Sequence, residues 1–532
     1  MLQIVARQFS PDCNVMIRSL NIAKIRKKVT KKLAILLFGS IAGLISLKFL
    51  VWDRDNYRWL IEDLYYRPPI DTKLTLAPAL TDISRDKFRA ATITDASRLE
   101  PTPVAAIYQP QSVDEIRHLI ATAQRTGHKI SMSGARHSMG GQIAAPNSLH
   151  LDLLKFDRVI YNADTTVTVA SGATWQQIQR ELGKHGRAVR VMQDSNIFSV
   201  GGSLSVNAHG KDPRFGSLIE SVVSFKLLNA QGVEINCSRT ENPELFRATI
   251  GGMGLFGVIT NVVLKTEPNS TYKYTVVHKP IEQAIDFMEA QIKRSNLESI
   301  EAQVSIDRDN YIKAAQIYYF DKVPTNPQLV DDVSGDNSIW LRKLVYRTSR
   351  ANNWGRQFRW FMQQQIGSRL DPSQLTRNSA MAAPFRTLQL NDPQTTDVLQ
   401  EYFIPVAKVP EFIAAYRKML LTHDMQLLNV TIRKVKPDTE ALVSYAHTDM
   451  YAFVSYYKIP KAETGTAQMT RFTRQMMDYL QTIDGKFYLA YRGYYSRSQI
   501  HQMYPQLKTL FQLKQTYDPT ELFSNKWYLV AR

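Results

Sequence analysis

Three glycine-rich segments, spread over about 125 residues, constrain this chain more than any other feature. The first, Ser131-Met-Ser-Gly-Ala-Arg-His-Ser-Met-Gly-Gly-Gln142, follows a strand–helix–strand pattern and carries a histidine at its tip. The second is Val200-Gly-Gly-Ser-Leu-Ser-Val-Asn-Ala-His-Gly210 and the third Gly251-Gly-Met-Gly-Leu-Phe-Gly257. Small residues let backbone N–H groups crowd an anion where bulky loops would not. Any one of these segments carries little weight. Together they point to a single large, phosphate-bearing ligand.

The pattern around the loops predicts their supports. Val104–Tyr108 and Lys129–Ser133 read as strands and Val113–Arg125 as an amphipathic helix. Leu149–Leu153, Arg158–Tyr161 and Thr166–Ala170 read as short strands, Trp175–Leu182 as a helix. Val222–Leu228 and Val233–Cys237 flank Asn-Ala-Gln-Gly, a hairpin signature, and Phe256–Lys265 reads as a closing strand. Gly252–Gly257 matches G-x-G-x-x-G. It follows a helical stretch and precedes a strand, the reverse of a dinucleotide fingerprint, so a Rossmann reading is rejected.

After Pro268 the pattern changes. Two strand–helix–strand–strand units, Tyr272–Phe320 and Gln400–Tyr457, predict one antiparallel sheet with helices on one face. The fold class expected is α+β. The expected organisation is a basic tail 1–32, an apolar anchor 33–52, a connector 53–100, a ligand-binding domain 101–268, a cap domain 269–480, and a segment 481–532 returning to the first domain.

Charge is unevenly spread. The net charge is +18, of which residues 1–32 supply +7 through eight Lys/Arg against Asp12. The apolar run Leu33–Trp52 then has the length of a membrane-spanning helix. The basic flank lies on its N-terminal side, which places the N-terminus in the cytoplasm and the body across the membrane. A cleaved signal peptide is the alternative. Ile339–Leu370 holds seven bases, six interleaved aromatics and no acid. It reads either as a helix face packed on the domain or as a surface resting on anionic lipid. Nucleic acid is not expected as a partner. Only Cys13 and Cys237 are present, so a cysteine-rich zinc site is excluded, and no metal-ligand spacing surrounds His137 or His209.

Two histidines stand out. His137 is either a hydrogen-bonding loop residue or a nucleophile that fixes a cofactor. His209 is either a proton acceptor or a group bonded to phosphate or backbone.

In combination, Gly134-Ala-Arg-His-Ser138, Val200-Gly-Gly-Ser-Leu-Ser205, Asn207-Ala-His-Gly-Lys211, Leu245-Phe-Arg-Ala-Thr-Ile-Gly-Gly252, Gly254-Leu-Phe-Gly-Val-Ile-Thr260 and Asp518-Pro-Thr-Glu-Leu-Phe523 resemble the vanillyl-alcohol oxidase and p-cresol methylhydroxylase (PCMH) type of flavoenzyme. The branch is that of aldonolactone oxidases, alditol oxidases and decaprenylphosphoryl-ribose oxidase. The resemblance spans Pro101–Thr266 and Lys486–Trp527. It implies a two-subdomain PCMH-type FAD-binding domain, an antiparallel-sheet cap, and FAD extended between the subdomains.

By the same resemblance the cofactor would meet Ser133, Gly134, Ala135, Arg136, His137, Ser138, Gln142, Val200, Gly201, Gly202, Ser205, Asn207, Gly210 and Ile259. Relatives with histidine at position 137 usually bear FAD covalently on it. His209 and Tyr491 are the candidate bases, and Arg492 would supply positive charge to reduced flavin. Lys211 and Arg433 would meet substrate. Two departures stand out. Tyr491 replaces a lysine of the ribose-oxidase group, and Thr431-Ile-Arg433 keeps only the arginine of the alditol-oxidase Glu-x-Arg pair. The implied reaction is hydride transfer from a CH–OH group of a sugar, polyol or lactone to flavin N5, with O₂ or a quinone as acceptor. A lipid-linked sugar phosphate as substrate and a non-catalytic membrane-surface protein are the alternatives.

Overall fold

The structure is a computed structural model that describes residues 91–334, 339–367, 373–383 and 392–532. The basic tail, the apolar run Leu33–Trp52 and most of the connector lie outside them, and with them the expected membrane anchor. Among the described residues no helix is long and apolar enough to cross a membrane.

The first glycine loop leaves a three-stranded parallel sheet. Leu149–Asp152 lies at its centre, between Ala106–Tyr108 and Ile130–Ser133. The crossover is the helix Val113–Thr126. Ser112 caps its first turn, and Gly127 ends it in the left-handed region. Ile116, Leu119, Ile120 and Ala123 recur at helical spacing and are fully buried on the sheet.

A second sheet is antiparallel. Its order is Glu234–Ser238, Val222–Leu228, Val258–Pro268, Thr166–Ala170 and Val159–Tyr161, with Arg187–Val189 paired to the far end of Val258–Pro268. The expected hairpin closes through Asn229, whose Oδ1 accepts from Gln231 N at 3.0 Å and Val233 N at 2.9 Å. The third glycine segment links the helix Pro243–Thr249 to the strand Val258–Pro268, the order that excluded a Rossmann turn.

The cap is one eight-stranded antiparallel sheet, as the two repeated units suggested. Its order is Gln374–Thr376, Thr271–Pro280, Ala314–Lys322, Leu297–Val304, Gln426–Val435, Met450–Pro460, Thr395–Pro405 and Lys486–Phe487. Strand alternation sorts its residues. Ala302, Ile317, Ile432 and Phe453 are fully buried on the side carrying the helices Ile281–Ile292, Val409–Thr422 and Glu463–Thr482. Phe412 packs on Phe453 at 4.8 Å and Phe472 on Tyr457 at 5.4 Å there. Glu301, Gln303, Gln316, Tyr318, Thr431 and Arg433 occupy the other side and line a cavity.

From Lys486–Phe487 on the cap sheet the chain runs back to the parallel sheet. Ile130 N donates to Leu522 O at 2.7 Å, and Ser524 N to Ile130 O at 2.9 Å. Asp518 fixes this return by accepting from Leu522 N and Phe523 N, both at 2.9 Å, and by a buried pair with Lys514.

Candidate active site

One cavity of about 1140 Å³ runs between the glycine loops and the open face of the cap sheet. It exceeds the ~300–1,000 Å³ usual for a site holding one drug-sized molecule. Ser133 to Ser138, Gln142, Ser199, Gly201, Gly202, Ser205, Met253, Gly254 and Ile259 form one wall.

That wall is mostly backbone. Gly134 passes so close to Ser199 that an added Cβ would stand 1.8 Å from its Oγ, so only glycine lets the first two loops touch. Arg136 sits at φ 55°, a left-handed turn that gathers successive N–H groups into a concave nest. Among the described residues the N–H groups of Gly134, Ala135 and Arg136 make no hydrogen bond. Beside Ile259 the strand register shifts, leaving Thr260 unpaired, a bulge that bends the strand at the cavity edge.

His137 is half-buried at the cavity wall, its ring 4.9 Å from that of Phe198. Burial lowers its pKa to about 4, so the imidazole is neutral across the physiological range. Beneath it, the Ser131 and Ser133 hydroxyls bracket the ring nitrogens of His150 at 2.9 and 2.8 Å. Ser138 donates to Gln142 Oε1, and Gln142 Nε2 donates to Ala490 O at 2.6 Å. Both residues line the cavity while tying the loop to the C-terminal segment.

The opposite wall carries charge. Lys211 Nζ lies 3.2 Å from Asp194 Oδ1 and 3.5 Å from Glu301 Oε1. Arg433 lies 3.0 Å from Asp194 Oδ2 and 3.2 Å from Glu301 Oε2. The four form a closed ring of alternating sign, and all four line the cavity. Glu301 and Arg433 are register partners on adjacent cap strands. Burial disfavours both cations, but the two carboxylates more than offset it and raise both pKa values. Burial likewise opposes ionisation of Asp194, yet Lys211 and Arg433 hold it down to about 2. Tyr491 completes this end. Burial, then the Glu401 charge, pushes its phenol well above the usual range, so it stays neutral.

Several expected site residues lie elsewhere. His209 is outside the cavity wall, with Nε2 2.5 Å from Glu401 Oε1 and Nδ1 3.1 Å from Gly210 O. Both ring nitrogens are engaged by these partners and His209 does not line the cavity, so the ring is not presented to a substrate. Asn207 is a buried knot. It donates to Asp438 Oδ2 at 2.7 Å, accepts from Ile219 N at 3.1 Å, and does not line the cavity. Gly210 borders only a small separate hollow. Val200 is fully buried in the core, with its N–H on Ala173 O at 2.9 Å. Gly201 keeps its place in the wall, but its N–H is taken by Ser171 O at 2.8 Å. The Arg136 guanidinium is turned onto Asp152 at 2.7 Å. Arg492 is tied to Glu100 at 2.6 Å, away from the cavity.

The basic segment resolves toward packing where it is described. It forms the helices Ile339–Ala351 and Asn353–Met362. Arg347, Arg350 and Arg356 are buried, and Arg350 pairs with Asp397. Arg359 donates to Leu428 O at 2.7 Å and, with Tyr346 and Met362, closes the cavity from the side.

Residues 104–238 match the family described as FAD binding domain, and residues 391–530 the family described as D-arabinono-1,4-lactone oxidase. The chain is 23% identical to L-gulonolactone oxidase of Mus musculus over 438 residues, covering 79% of this chain and 93% of that protein. It is 32% identical to D-arabinono-1,4-lactone oxidase of Candida albicans over 184 residues, about a third of each chain. Cytokinin dehydrogenase 9 of Oryza sativa is 29% identical over 188 residues, 34% of this chain and 36% of that protein.

The chain carries an FAD binding domain and a D-arabinono-1,4-lactone oxidase region, and it is similar to the aldonolactone-oxidase branch of the PCMH-type flavoenzymes. It is an FAD-dependent oxidoreductase. The wall fits that cofactor: a nest of unspent N–H groups suits a diphosphate, and the Gly134 cradle leaves no room for a side chain. Asp194 and Glu301 carry no motif that marks them in the sequence. The signal that points to them is their partners, Lys211 and Arg433, since two cations converging on one site require counter-charge. Nothing in the sequence says that residues 194, 211, 301 and 433 meet.

Proposed function

We propose that this enzyme oxidises a CH–OH carbon of a sugar lactone, with FAD attached through His137. FAD supplies the hydride acceptor when bound. The protein supplies the rest. The loop Ser133–Ser138 holds the diphosphate end, and the neutral imidazole of His137 offers a nitrogen lone pair for attachment. Tyr491 donates to a substrate oxygen from the cavity side. Lys211 and Arg433 orient the sugar, with Asp194 and Glu301 balancing their charge.

The observation that carries this reading is the charge-neutral ring facing the flavin wall across one continuous cavity. Two carboxylates beside two cations suit neutral vicinal hydroxyls better than a phosphate, which the carboxylates would repel. A lipid-linked sugar phosphate is thereby disfavoured. The test is anaerobic mixing with 1,4-aldonolactones, with polyols, and with polyprenyl-phosphate sugars. Bleaching of the flavin by lactones ahead of the other two supports the reading. Bleaching by the phosphate lipid alone refutes it. Reoxidation by O₂, followed on an oxygen electrode, is expected. Dependence on an added quinone would instead mark a dehydrogenase.

The anchor forms part of the proposal. The run Leu33–Trp52 behind a +7 tail supports a single-pass protein with its N-terminus cytoplasmic and its catalytic body outside. Resistance to carbonate extraction, together with protease access to the body from the outer side, is the expected outcome.

A further inference from the structure

Oxidation of CH–OH needs an acceptor for the hydroxyl proton, and the two bases expected from sequence do not serve. Both nitrogens of His209 are engaged behind the wall, and the Tyr491 phenol is neutral. Among the described residues three carboxylates line the cavity: Asp194, Glu301 and Asp332. Asp332 is exposed and holds the Ser334 hydroxyl at 2.7 Å. Asp194 lies on a loop, at 3.2 and 3.0 Å from its two cations, which keep its basicity low.

Glu301 differs in its placement and its contact lengths. It sits inside the strand Leu297–Val304, in register with Arg433 on one side and Tyr318 on the other. Its contacts to Lys211 and Arg433 are longer, 3.5 and 3.2 Å. Strand residues hold reacting geometry better than loops do. Gln303 continues the same face one step along and lines the cavity, its Oε1 accepting from Gln363 Nε2 at 2.9 Å.

We propose that Glu301 is the catalytic base of this enzyme, receiving the hydroxyl proton while Lys211 and Arg433 steady its charge and Asp194 balances theirs. The inference rests on the lactone-oxidising reading above. The C–H bond breaks with its electron pair passing to the flavin. The O–H bond breaks with its proton passing to the Glu301 carboxylate, and a C=O bond forms. The substrate loses two electrons and the flavin gains two. The charged and titratable groups placed about Glu301 are Lys211 and Arg433, which it contacts, Asp194 across the ring, its register partner Tyr318, and Glu401, which acts on the same Arg433. Of these, Asp194 and Glu401 are carboxyl groups like its own.

The test uses the full-length flavoenzyme with Glu301→Gln, Glu301→Ala and Asp194→Asn. Flavin reduction is followed anaerobically against pH. Lactone binding to dithionite-reduced enzyme, which cannot turn over, is measured by calorimetry. A positioned base is worth about 10²–10⁴-fold. Glu301→Gln should cut the reduction rate at least about 100-fold, abolish the loss of rate on the acid side, and leave lactone affinity of the reduced enzyme within about threefold. Formate should restore rate to Glu301→Ala. Asp194→Asn should keep the acid limb and weaken affinity instead. A Glu301→Gln enzyme with near wild-type rate and an intact acid limb overturns the proposal, as does transfer of that limb's loss to Asp194→Asn. If the wild-type flavin is not reduced by any lactone, the reading beneath it fails first.

Discussion

The two walls of the cavity are made of different material. On the FAD side the contacts are backbone N–H groups and the absence of side chains, all within short contiguous loops. On the cap side they are four charged side chains drawn from positions 194, 211, 301 and 433. A backbone cradle tolerates change at its side chains and fails where a Cβ intrudes. A charge ring does the reverse: it depends on its side chains, each held by two others, with Glu301 and Arg433 on strands and Asp194 and Lys211 on loops. Under the proposed function, cofactor grip falls on the first kind of surface and substrate selection on the second.

The sharpest way to break this contrast is at Arg433. Its removal strands Asp194 and Glu301 beside a single cation. Losing one partner of a buried ion pair costs about 3–5 kcal/mol, so Arg433→Ala should lose several hundred-fold in kcat/KM with flavin content unchanged. Steady-state kinetics and the visible spectrum check both halves. Gly134→Ala is the reciprocal case. With the new Cβ 1.8 Å from Ser199 Oγ, the loops must part. We expect flavin content to fall at least about tenfold, read from absorbance. Ser199→Gly in the same chain should recover part of it.

A smaller effect is expected at His209. Because it bonds Glu401 and Gly210 rather than substrate, His209→Asn should lower stability by about 1–3 kcal/mol through unpaired buried groups. The flavin reduction rate should stay within a fewfold of wild type. A collapse of the rate at unchanged stability would restore it to the chemistry.

The smallest effect is in pH. Burial, then the Arg136 charge, lowers the His150 pKa from 6.5 to about 3. Between those values the unfolded imidazole binds a proton that the folded one refuses. Stability is therefore fully retained above about pH 6.5 and declines as pH falls toward about 3. Thermal melts of His150→Asn should show a shallower acid decline than wild type.

The same contrast explains what could be read from sequence. The helix Val113–Thr126, the hairpin at Asn229–Gly232 and the cap strands were legible because their signals are local: caps, turn residues and alternation. The glycine loops were legible for the same reason, and Gly134 through Ser138 do face the cavity. The sequence is least informative where a motif residue and its neighbour point opposite ways. In Asn207-Ala-His-Gly-Lys211, Ala208 and Lys211 line the cavity while Asn207 and His209 face the interior. In Ala490-Tyr491-Arg492, the first two line it and the third turns to Glu100. Spacing identifies a loop but not the side to which each side chain turns. Asp194 and Glu301 carried no motif at all, and their role emerges only from strand register and loop approach.

Acid precipitation bears most directly on the claim that a glycine-built cradle presents His137 to the cofactor. The pellet of wild-type protein should remain yellow with a flavin spectrum, and that of His137→Ala should be colourless with the flavin in the supernatant. A wild-type pellet without colour would contradict the attachment, and native protein that neither carries nor takes up FAD would contradict the cradle itself.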